Sequence, residues 1–304
     1  MISNFFSHAI GSVSVLLYFV NTVFWATPIL IFSVFKLIPF EPWRKLISYI
    51  LDACATAWIS VNNLNQKIFS RTQIDVTGLD ALTPKDWYLV IANHQSWVDI
   101  LVLQRIFNRK IPFLKFFLKK ELIYVPILGL AWWALDFPFM RRYSKSYLAK
   151  NPHMKGKDME TTKKACEKFR FKPVSIMNFV EGTRFTEEKH SRQKSPFSRL
   201  LKPKAGGVAF VLSAMGSQLH KLIDVTIEYP AEIPSYWDFV CGKVKNIRVN
   251  IQVTPIKDIV ENGHFSDDYF ENPQVRTRFQ SWLNAQWQQK NNLLELNQTN
   301  QKSL

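Results

Sequence analysis

The amino-terminal segment constrains the fold most, because no Lys, Arg, Asp or Glu precedes Lys36. Val, Leu, Ile, Phe and Trp dominate residues 9–35. As a helix, this segment would be roughly 40 Å long, enough to cross the hydrocarbon layer of a membrane with some tilt. A signal peptide is the competing interpretation, but it would carry a basic stretch before a shorter apolar one, and residues 1–8 contain no basic stretch. We therefore expect a retained membrane anchor.

The next apolar segment, residues 46–64, is interrupted by Asp52 and ends with Asn62 and Asn63. This pattern predicts an interfacial helix or a second membrane helix, and the sequence leaves both open. Basic residues follow the first segment although none precedes it: Lys36, Arg44, Lys45, Lys67 and Arg71. We expect residues 1–71 to form the anchor and, by the positive-inside rule, the rest of the chain to face the cytoplasm.

The charge of the chain indicates partners that carry negative charge. The 304 residues have a formal net charge of +15. Candidate partners are nucleic acid, anionic lipid head groups and small phosphorylated substrates, and charge alone does not choose among them. Cys54, Cys166 and Cys241 have no CxxC spacing, so they encode neither a disulfide framework nor a thiolate metal site. We expect no metal.

Residues 72–296 have the pattern of a soluble α/β domain, in which β-branched runs alternate with longer helical stretches. Predicted strands cover residues 87–92, 174–180, 222–228 and 247–254. Predicted helices cover residues 96–107, 158–171, 207–214 and 273–294. Strands separated by helices indicate a sheet covered on both faces. Residues 297–304 form a polar tail that we expect to be disordered.

The segment Asn93-His94-Gln95-Ser96-Trp97-Val98-Asp99 lies where the first predicted strand ends and a helix begins, which is where α/β sheets bind ligands. Ser96 can cap this helix with Asp99 in the first turn. A turn would then fold His94 back over the helix start, so that Asp99 accepts from one ring nitrogen while the other faces substrate. This pairing predicts a general base, although a capping aspartate beside an ordinary loop histidine gives the same pattern.

A second segment, Glu181-Gly182-Thr183-Arg184, follows the predicted strand at residues 174–180. Glycine at a strand end lets the backbone approach a ligand, and arginine can hold a phosphate in a fork of two hydrogen bonds. Glu181 would orient Arg184 or a substrate hydroxyl. Taken alone, the segment is equally well an ordinary turn with a surface ion pair.

Together, the two segments resemble the glycerolipid acyltransferases, the family that includes 1-acyl-sn-glycerol-3-phosphate (PlsC-like) and lysophospholipid acyltransferases. The first family block, N-H-x-S-x-x-D, matches residues 93–99, and the third block, E-G-T-R, matches residues 181–184. The joint presence of both blocks in this order is highly specific. The resemblance covers residues 86–230 and implies a glycerol-3-phosphate acyltransferase-like α/β fold, a mixed central sheet flanked by helices.

Two further family blocks match only in part. The second, usually G-x-x-F-I-x-R, is met at Phe139 and Arg142, whereas Asp136 replaces its glycine. The fourth, usually apolar with two prolines, reads DVTIEYP at residues 224–230. This variant looks like the bacterial YihG-like subgroup and its eukaryotic relatives, which implies a bacterial inner membrane as the location. The departures leave the acceptor head group open, but they do not affect the base.

The resemblance implies direct acyl transfer without an acyl-enzyme. His94 would take the proton from the free hydroxyl of lysophosphatidic acid or another lysophospholipid, which attacks the thioester of acyl-CoA or acyl-carrier protein, while Asp99 supports the imidazolium. The acceptor phosphate would be bound by five residues of the second and third blocks: Arg142, Glu181, Gly182, Thr183 and Arg184. No cofactor is expected beyond this acyl donor, and the expected partners are the donor and membrane lipids.

Two other functional classes stay open from the residues alone. A non-catalytic basic protein tethered to the membrane would explain the charge but not the paired blocks. Nucleic acid is not its expected partner, because zinc-finger, helix-turn-helix and RNP-type motifs are absent from the sequence. A thioester hydrolase would use His94 and Asp99 with water as acceptor, but the sequence has no G-x-S-x-G motif. The preferred acyl chain and the oligomeric state are also left open.

Overall fold

The computed structural model describes residues 2–140 and 172–302, together with Cys166 and Phe169. The chain begins with two long helices, α1 (Ile2–Val34) and α2 (Glu41–Asn65), which pack side by side. Among the described residues, one helical segment, Phe5–Leu37, is long and apolar enough to cross a membrane. The predicted apolar helix is therefore present, and α2, which covers the second apolar segment, does not meet that criterion.

Polar side chains join α1 to α2 inside this helical hairpin. Asn21 donates to Oδ1 of Asn62 (2.8 Å), and the hydroxyl of Ser14 donates to Oδ1 of Asn65 (3.0 Å). Asn65 in turn donates to the backbone carbonyl of Ser14 (3.0 Å). Because the partner positions descend along α2 as they ascend along α1, the helices are antiparallel. These buried amides thus find their partners in the other helix.

The rest of the fold is built on a mixed six-stranded sheet with the strand order β1-β8-β7-β2-β6-β3. In chain order the strands are β1 (Gln73–Thr77), β2 (Tyr88–Ala92), β3 (Leu114–Phe116), β4 (Leu118–Lys119), β5 (Phe139–Met140), β6 (Ser175–Phe179), β7 (Lys221–Glu228) and β8 (Asn246–Pro255). Strands β7, β2, β6 and β3 are parallel to one another, whereas β8 is antiparallel to β7. The four predicted strands are present, each within one residue of its expected ends.

Helices cover both faces of the sheet. Further helices are α3 (Val98–Phe107), α4 (Leu128–Ala134), α5 (Glu187–Gln193), α6 (Ala205–Met215), α7 (Tyr236–Val240), α8 (Ile256–Glu261) and α9 (Pro273–Lys302). Alternate residues of β2 enter two cores, since Leu89 and Ile91 pack with α6 and α9 while Val90 packs with α3. This arrangement confirms the predicted fold class, a mixed sheet flanked by helices.

The carboxyl-terminal helix is longer than predicted. The sequence predicts a disordered tail over residues 297–304, but α9 continues to Lys302. This stretch contains no glycine or proline, and Asn297 donates a hydrogen bond to Oε2 of Glu228 (2.7 Å). Without a helix breaker, an existing helix is extended easily, because nucleation is already complete. The helix predicted at residues 158–171 lies almost wholly outside the described residues.

Candidate active site

Three strand ends meet at one edge of the sheet. Strand β2 is parallel to both of its neighbours, β6 and β7, so the carboxyl ends of the three strands lie at the same edge. His94 follows β2, Glu181 follows β6 and Tyr229 follows β7. The topology therefore brings the first and third blocks together with the end of the fourth.

The imidazole of His94 and the carboxylate of Asp99 form a hydrogen bond. Nδ1 of His94 lies 2.8 Å from Oδ2 of Asp99, which stands in the first turn of α3. The same oxygen accepts from the backbone N–H groups of Gln95 (2.6 Å) and Ser96 (2.9 Å). The connection thus wraps around the carboxylate, which explains how side chains five residues apart meet although a straight helix would separate them.

The start of α3 differs from the predicted capping pattern. The helix begins at Val98, and the hydroxyl of Ser96 accepts from the backbone N–H of Val98 (3.1 Å). Of the two hydrogen bonds of a capping box, one is formed: the carboxylate of Asp99 accepts from the backbone N–H of Ser96. The Ser96 hydroxyl donates to the carbonyl of Pro234 (2.5 Å). Ser96 therefore connects the histidine segment to the loop after β7.

An aromatic ring holds the imidazole of His94 on a second side. The imidazole stacks on Phe179, the last residue of β6, with 3.8 Å between ring centroids and 12° between the planes. The His94 side chain is 12% exposed, whereas that of Asp99 is fully buried. Since Nδ1 is taken by Asp99, Nε2 is the ring nitrogen left for an incoming group at this edge.

Glu181 lies inside the protein and not at the surface of the site. It is fully buried, and its two carboxyl oxygens accept from the backbone N–H groups of His94 (3.3 Å) and Leu201 (3.2 Å). Burial raises the pKa of Glu181 to about 8. The carboxyl group thus faces the backbone that carries His94, which differs from the predicted contact with Arg184 or with substrate.

The turn after β6 stays near the surface of the protein. Gly182 has a positive φ of 72°, and a Cβ at this position would lie 3.2 Å from Nζ of Lys204. Lys189 donates to Oγ1 of Thr183 (3.0 Å) and to the carbonyl of Arg184 (2.9 Å). The left-handed backbone favours glycine here, whereas the neighbouring end of the Lys204 side chain is flexible.

The guanidinium of Arg184 lies beside the segment that carries His94. Its central carbon is 4.4 Å from the ring centre of Trp97, a residue that is 56% exposed. The backbone N–H of Phe185 also donates to the carbonyl of His94 (2.7 Å). These contacts join the first and third blocks and leave the positive charge of Arg184 and two neighbouring lysines at the rim of the site.

The second block lies only partly within the described residues. Asp136, which replaces the family glycine, has a positive φ of 58° and forms an ion pair with Lys36. Aspartate tolerates this left-handed conformation better than most side chains, so the backbone can keep a shape that glycine would allow. Phe139 begins β5. Arg142, predicted to bind the acceptor phosphate, lies outside the described residues.

Three residues in or beside the site were not predicted from the sequence. Phe179 stacks on the imidazole, and the hydroxyl of Tyr229 donates to Oδ1 of Asp99 (2.5 Å). Lys290 of α9 is buried, with Nζ 2.6 Å from Oδ1 of Asp224 in β7. Their position at the ends of strands was a signal for Phe179 and Tyr229, whereas the partner of Lys290 follows only from the fold.

This arrangement supports proton transfer beside bound negative charge. An imidazole whose Nδ1 is held by a buried carboxylate can accept a proton at Nε2, because the carboxylate stabilises the imidazolium that forms. The cations at the rim can bind an anionic group next to it. Within the part of the chain that the structure describes, no group of three or more His, Cys, Asp or Glu side chains could hold a metal ion.

The chain is similar to acyltransferases of plants and animals. It is 26% identical to probable 1-acyl-sn-glycerol-3-phosphate acyltransferase 5 of Arabidopsis thaliana, over 86% of this chain and 74% of that protein. It is 23% identical to lysocardiolipin acyltransferase 1 of Gallus gallus, over 85% of this chain and 67% of that protein. It is 24% identical to 1-acyl-sn-glycerol-3-phosphate acyltransferase gamma of Mus musculus, but this match spans 54% of the mouse protein and 70% of this chain.

Among solved structures, a match is the 1-acyl-sn-glycerophosphate (LPA) acyltransferase PlsC from Thermotoga maritima. It is 16% identical, with a TM-score of 0.47 over 90% of this chain and 94% of that chain. The family model described as Acyltransferase matches residues 73–229, which is more than half of the chain and includes both segments at the site. The chain therefore belongs to the acyltransferase family and is an acyltransferase.

Proposed function

We propose that the protein transfers a fatty acyl group from acyl-CoA or acyl-carrier protein to the free hydroxyl of lysophosphatidic acid or another lysophospholipid. The reaction would serve phospholipid synthesis or remodelling. The observation that carries this proposal is the hydrogen bond of 2.8 Å between His94 and buried Asp99 at the carboxyl edge of the sheet. The names of the acyltransferase relatives support the substrate class.

His94 is the general base of the proposed reaction. Its Nε2 takes the proton of the acceptor hydroxyl as the oxygen attacks the carbonyl carbon of the thioester. The new C–O bond forms, the C–S bond breaks, and His94 passes the proton to the departing thiolate. Asp99 stabilises the imidazolium during this transfer, because backbone hydrogen bonds already fix its carboxylate.

The phosphate of the acceptor is proposed to lie over the turn after β6. Arg184 stacks on Trp97, and this contact orients the planar guanidinium for a fork of two hydrogen bonds. Lys204 reaches over Gly182 and adds a second cation. Arg142 of the second block is proposed as a further contact. Positive charge beside a base suits a substrate whose reacting hydroxyl lies near a phosphate.

The apolar helix α1 suggests that the protein associates with a membrane. We place the catalytic domain on the cytoplasmic side, because basic residues follow the apolar segment and none precedes it. Membership of the YihG-like subgroup, and with it a bacterial inner membrane, stays a prediction from the four sequence blocks. The acceptor lipid would then be drawn from the same membrane surface that holds the enzyme.

Transfer of radiolabel from acyl-CoA to a panel of lysolipids, in membranes that contain the full chain, tests the proposal. The protein should label lysophosphatidic acid or another lysophospholipid. His94→Ala should lower the rate about 10²- to 10⁴-fold, since that is the usual contribution of a positioned general base. Near-normal transfer by a folded His94→Ala protein would show that the base lies elsewhere.

The same assay separates the other candidate functions. A non-catalytic basic membrane protein would label no acceptor above background. A thioester hydrolase would release free fatty acid at the same rate with and without lysolipid. Replacing acyl-CoA by acyl-carrier protein in a parallel reaction identifies the donor.

A further inference from the structure

Tyr229 extends the histidine–aspartate pair by a third side chain. Its hydroxyl lies 2.5 Å from Oδ1 of Asp99, the carboxylate oxygen that His94 does not contact. Tyr229 is 4% exposed and follows directly after β7, 130 residues from Asp99 in the sequence. Tyr229, Asp99 and His94 thus form a continuous row of hydrogen bonds at the carboxyl edge of the sheet.

The two oxygens of Asp99 are held by different parts of the fold. Oδ2 accepts from His94 and from the backbone N–H groups of Gln95 and Ser96. Oδ1 accepts from Tyr229. Among residues 2–140 and 172–302, no other group donates a hydrogen bond to Oδ1. The local connection therefore holds one oxygen, while Tyr229, the residue after the neighbouring strand β7, holds the other.

We propose that Tyr229 is a positioning residue for acyl transfer, which holds Asp99 in the orientation that His94 needs and weakens its pull on the imidazolium. This inference rests on the proposed function of the His94–Asp99 pair. A hydrogen bond to one oxygen stabilises the negative charge of a carboxylate, so the carboxylate attracts a neighbouring proton less strongly.

The surroundings of Tyr229 keep the donor in place. Burial, with the nearby charge of Asp99, raises the pKa of Tyr229 well above its usual value, so the hydroxyl remains protonated. The ring packs in the core that contains Val225 and Ile227. The loop that follows is tied to the histidine segment by the hydrogen bond from Ser96 to the carbonyl of Pro234.

Tyr229→Phe removes the hydroxyl and keeps the ring. We expect kcat to fall roughly tenfold, within the range of coupling energies for residues of one hydrogen-bond network, with KM for donor and lysolipid unchanged. The acidic limb of kcat/KM against pH should move to higher pH, because the carboxylate would then stabilise the imidazolium more strongly. Tyr236→Phe, in nearby α7, removes the hydroxyl of a half-buried tyrosine and should change neither quantity.

A double-mutant cycle separates positioning from packing. If Tyr229 acts through Asp99, adding Tyr229→Phe to Asp99→Asn should cause no further loss of rate. An equal loss in both backgrounds would overturn the proposal. So would a pH profile of Tyr229→Phe that coincides with that of the unchanged protein.

The proton NMR signal of Nδ1–H in His94 gives a readout that does not depend on turnover. In the detergent-solubilised full chain, this signal should shift in Tyr229→Phe and stay in place in Tyr236→Phe. If the signal shifts but the unchanged protein transfers no acyl group, the proposed function is wrong, but the hydrogen bonds from Tyr229 through Asp99 to His94 are supported. If Tyr229→Phe does not fold, 3-fluorotyrosine at position 229 preserves the shape with a stronger donor. An unshifted signal in that protein would contradict the proposal.

Discussion

Two His–Asp pairs among the described residues have similar separations and different surroundings. Nδ1 of His94 lies 2.8 Å from Asp99 at the carboxyl edge of the sheet, and Nδ1 of His220 lies 2.6 Å from Asp86 at the opposite edge, before β7 and β2. The His94 side chain is 12% exposed, whereas that of His220 is 53% exposed. Asp86 also pairs with Lys221 at 3.1 Å.

Because both edges of the sheet have such a contact, a histidine beside an aspartate does not by itself identify the proposed general base. Asp99 is buried, and several fixed donors hold its charge toward one ring nitrogen of His94. In a buried network each hydrogen bond is electrostatically stronger than in water. The charge of Asp86 is shared with a lysine, and solvent screens its exposed partner. Burial and orientation therefore distinguish the candidate catalytic edge.

The largest expected effect comes from exchanging each aspartate for asparagine. Asp99→Asn removes the negative charge that stabilises the imidazolium. It also places an amide N–H₂ group against the N–H and O–H donors that surround the carboxylate. The rate of acyl transfer should therefore fall about 10²- to 10⁴-fold. Asp86→Asn makes the same chemical change at the exposed pair and should leave the rate unchanged. Initial rates of radiolabel transfer measure both. Similar losses of transfer rate in the two variants would show that the two His–Asp pairs do not differ in their importance for catalysis.

Two lysine ion pairs that differ in burial should also differ in their contribution to stability. Lys290 is buried 2.6 Å from Asp224, whereas Lys257 and Glu261 pair at 3.4 Å on the surface. Lys290→Met leaves a buried carboxylate without its partner and should lower the free energy of unfolding by about 3–5 kcal/mol. Lys257→Met should lower it by about 0.3–0.5 kcal/mol at most. Denaturant unfolding of the full chain measures both changes in the free energy of unfolding. Equal changes in the two variants would contradict this prediction.

Glu181 should make stability depend on pH. Burial raises its pKa from 4.5 to about 8, so the folded protein holds a proton that the unfolded chain releases. Its contribution to stability is fully present below about pH 4.5 and is lost as the pH rises to about 8. Glu181→Gln should flatten this dependence in thermal unfolding. Glu232→Gln, at an exposed position, is the matched control and should keep the slope of the unchanged protein.

The smallest expected effect comes from Arg184→Lys. Lysine keeps the charge but can neither form the two-armed hydrogen bond nor stack on Trp97 in the same way. KM for lysophosphatidic acid should rise about tenfold with little change in kcat, since the interaction is with bound substrate. Arg192→Lys, in α5 outside the proposed site, provides the control. An unchanged KM for Arg184→Lys would place the phosphate elsewhere.

Local sequence patterns predicted the strands of the sheet and the contact between His94 and Asp99, which are five positions apart. Residues 88–92 form an apolar run that includes the β-branched Val90 and Ile91, and this strand is buried on both faces. The contact between His94 and Asp99 was predictable because both lie in one short connection whose backbone the carboxylate itself organises. Over such distances, turn and capping preferences are enough to decide which side chains meet.

Contacts between distant segments could not be predicted in this way. Tyr229 lies 130 positions from Asp99, and Lys290 lies 66 positions from Asp224. Strand order and register determine such contacts, and neither can be predicted from one segment of the sequence alone. The burial of Glu181 could not be predicted for the same reason, because Leu201, whose backbone N–H its carboxylate accepts from, lies 20 positions away.

The amides between α1 and α2 couple the position of the hairpin to the position of the base. Separating the helices in an apolar environment would leave Asn21 and Asn62 without hydrogen bonds, so the two helices tilt together. Trp237 of α7 donates to Nδ1 of His8 in α1 (3.0 Å), and α7 follows the loop that Ser96 holds. In the proposed membrane-bound protein, the depth of the hairpin in lipid would therefore also set how far the imidazole stands above the bilayer surface.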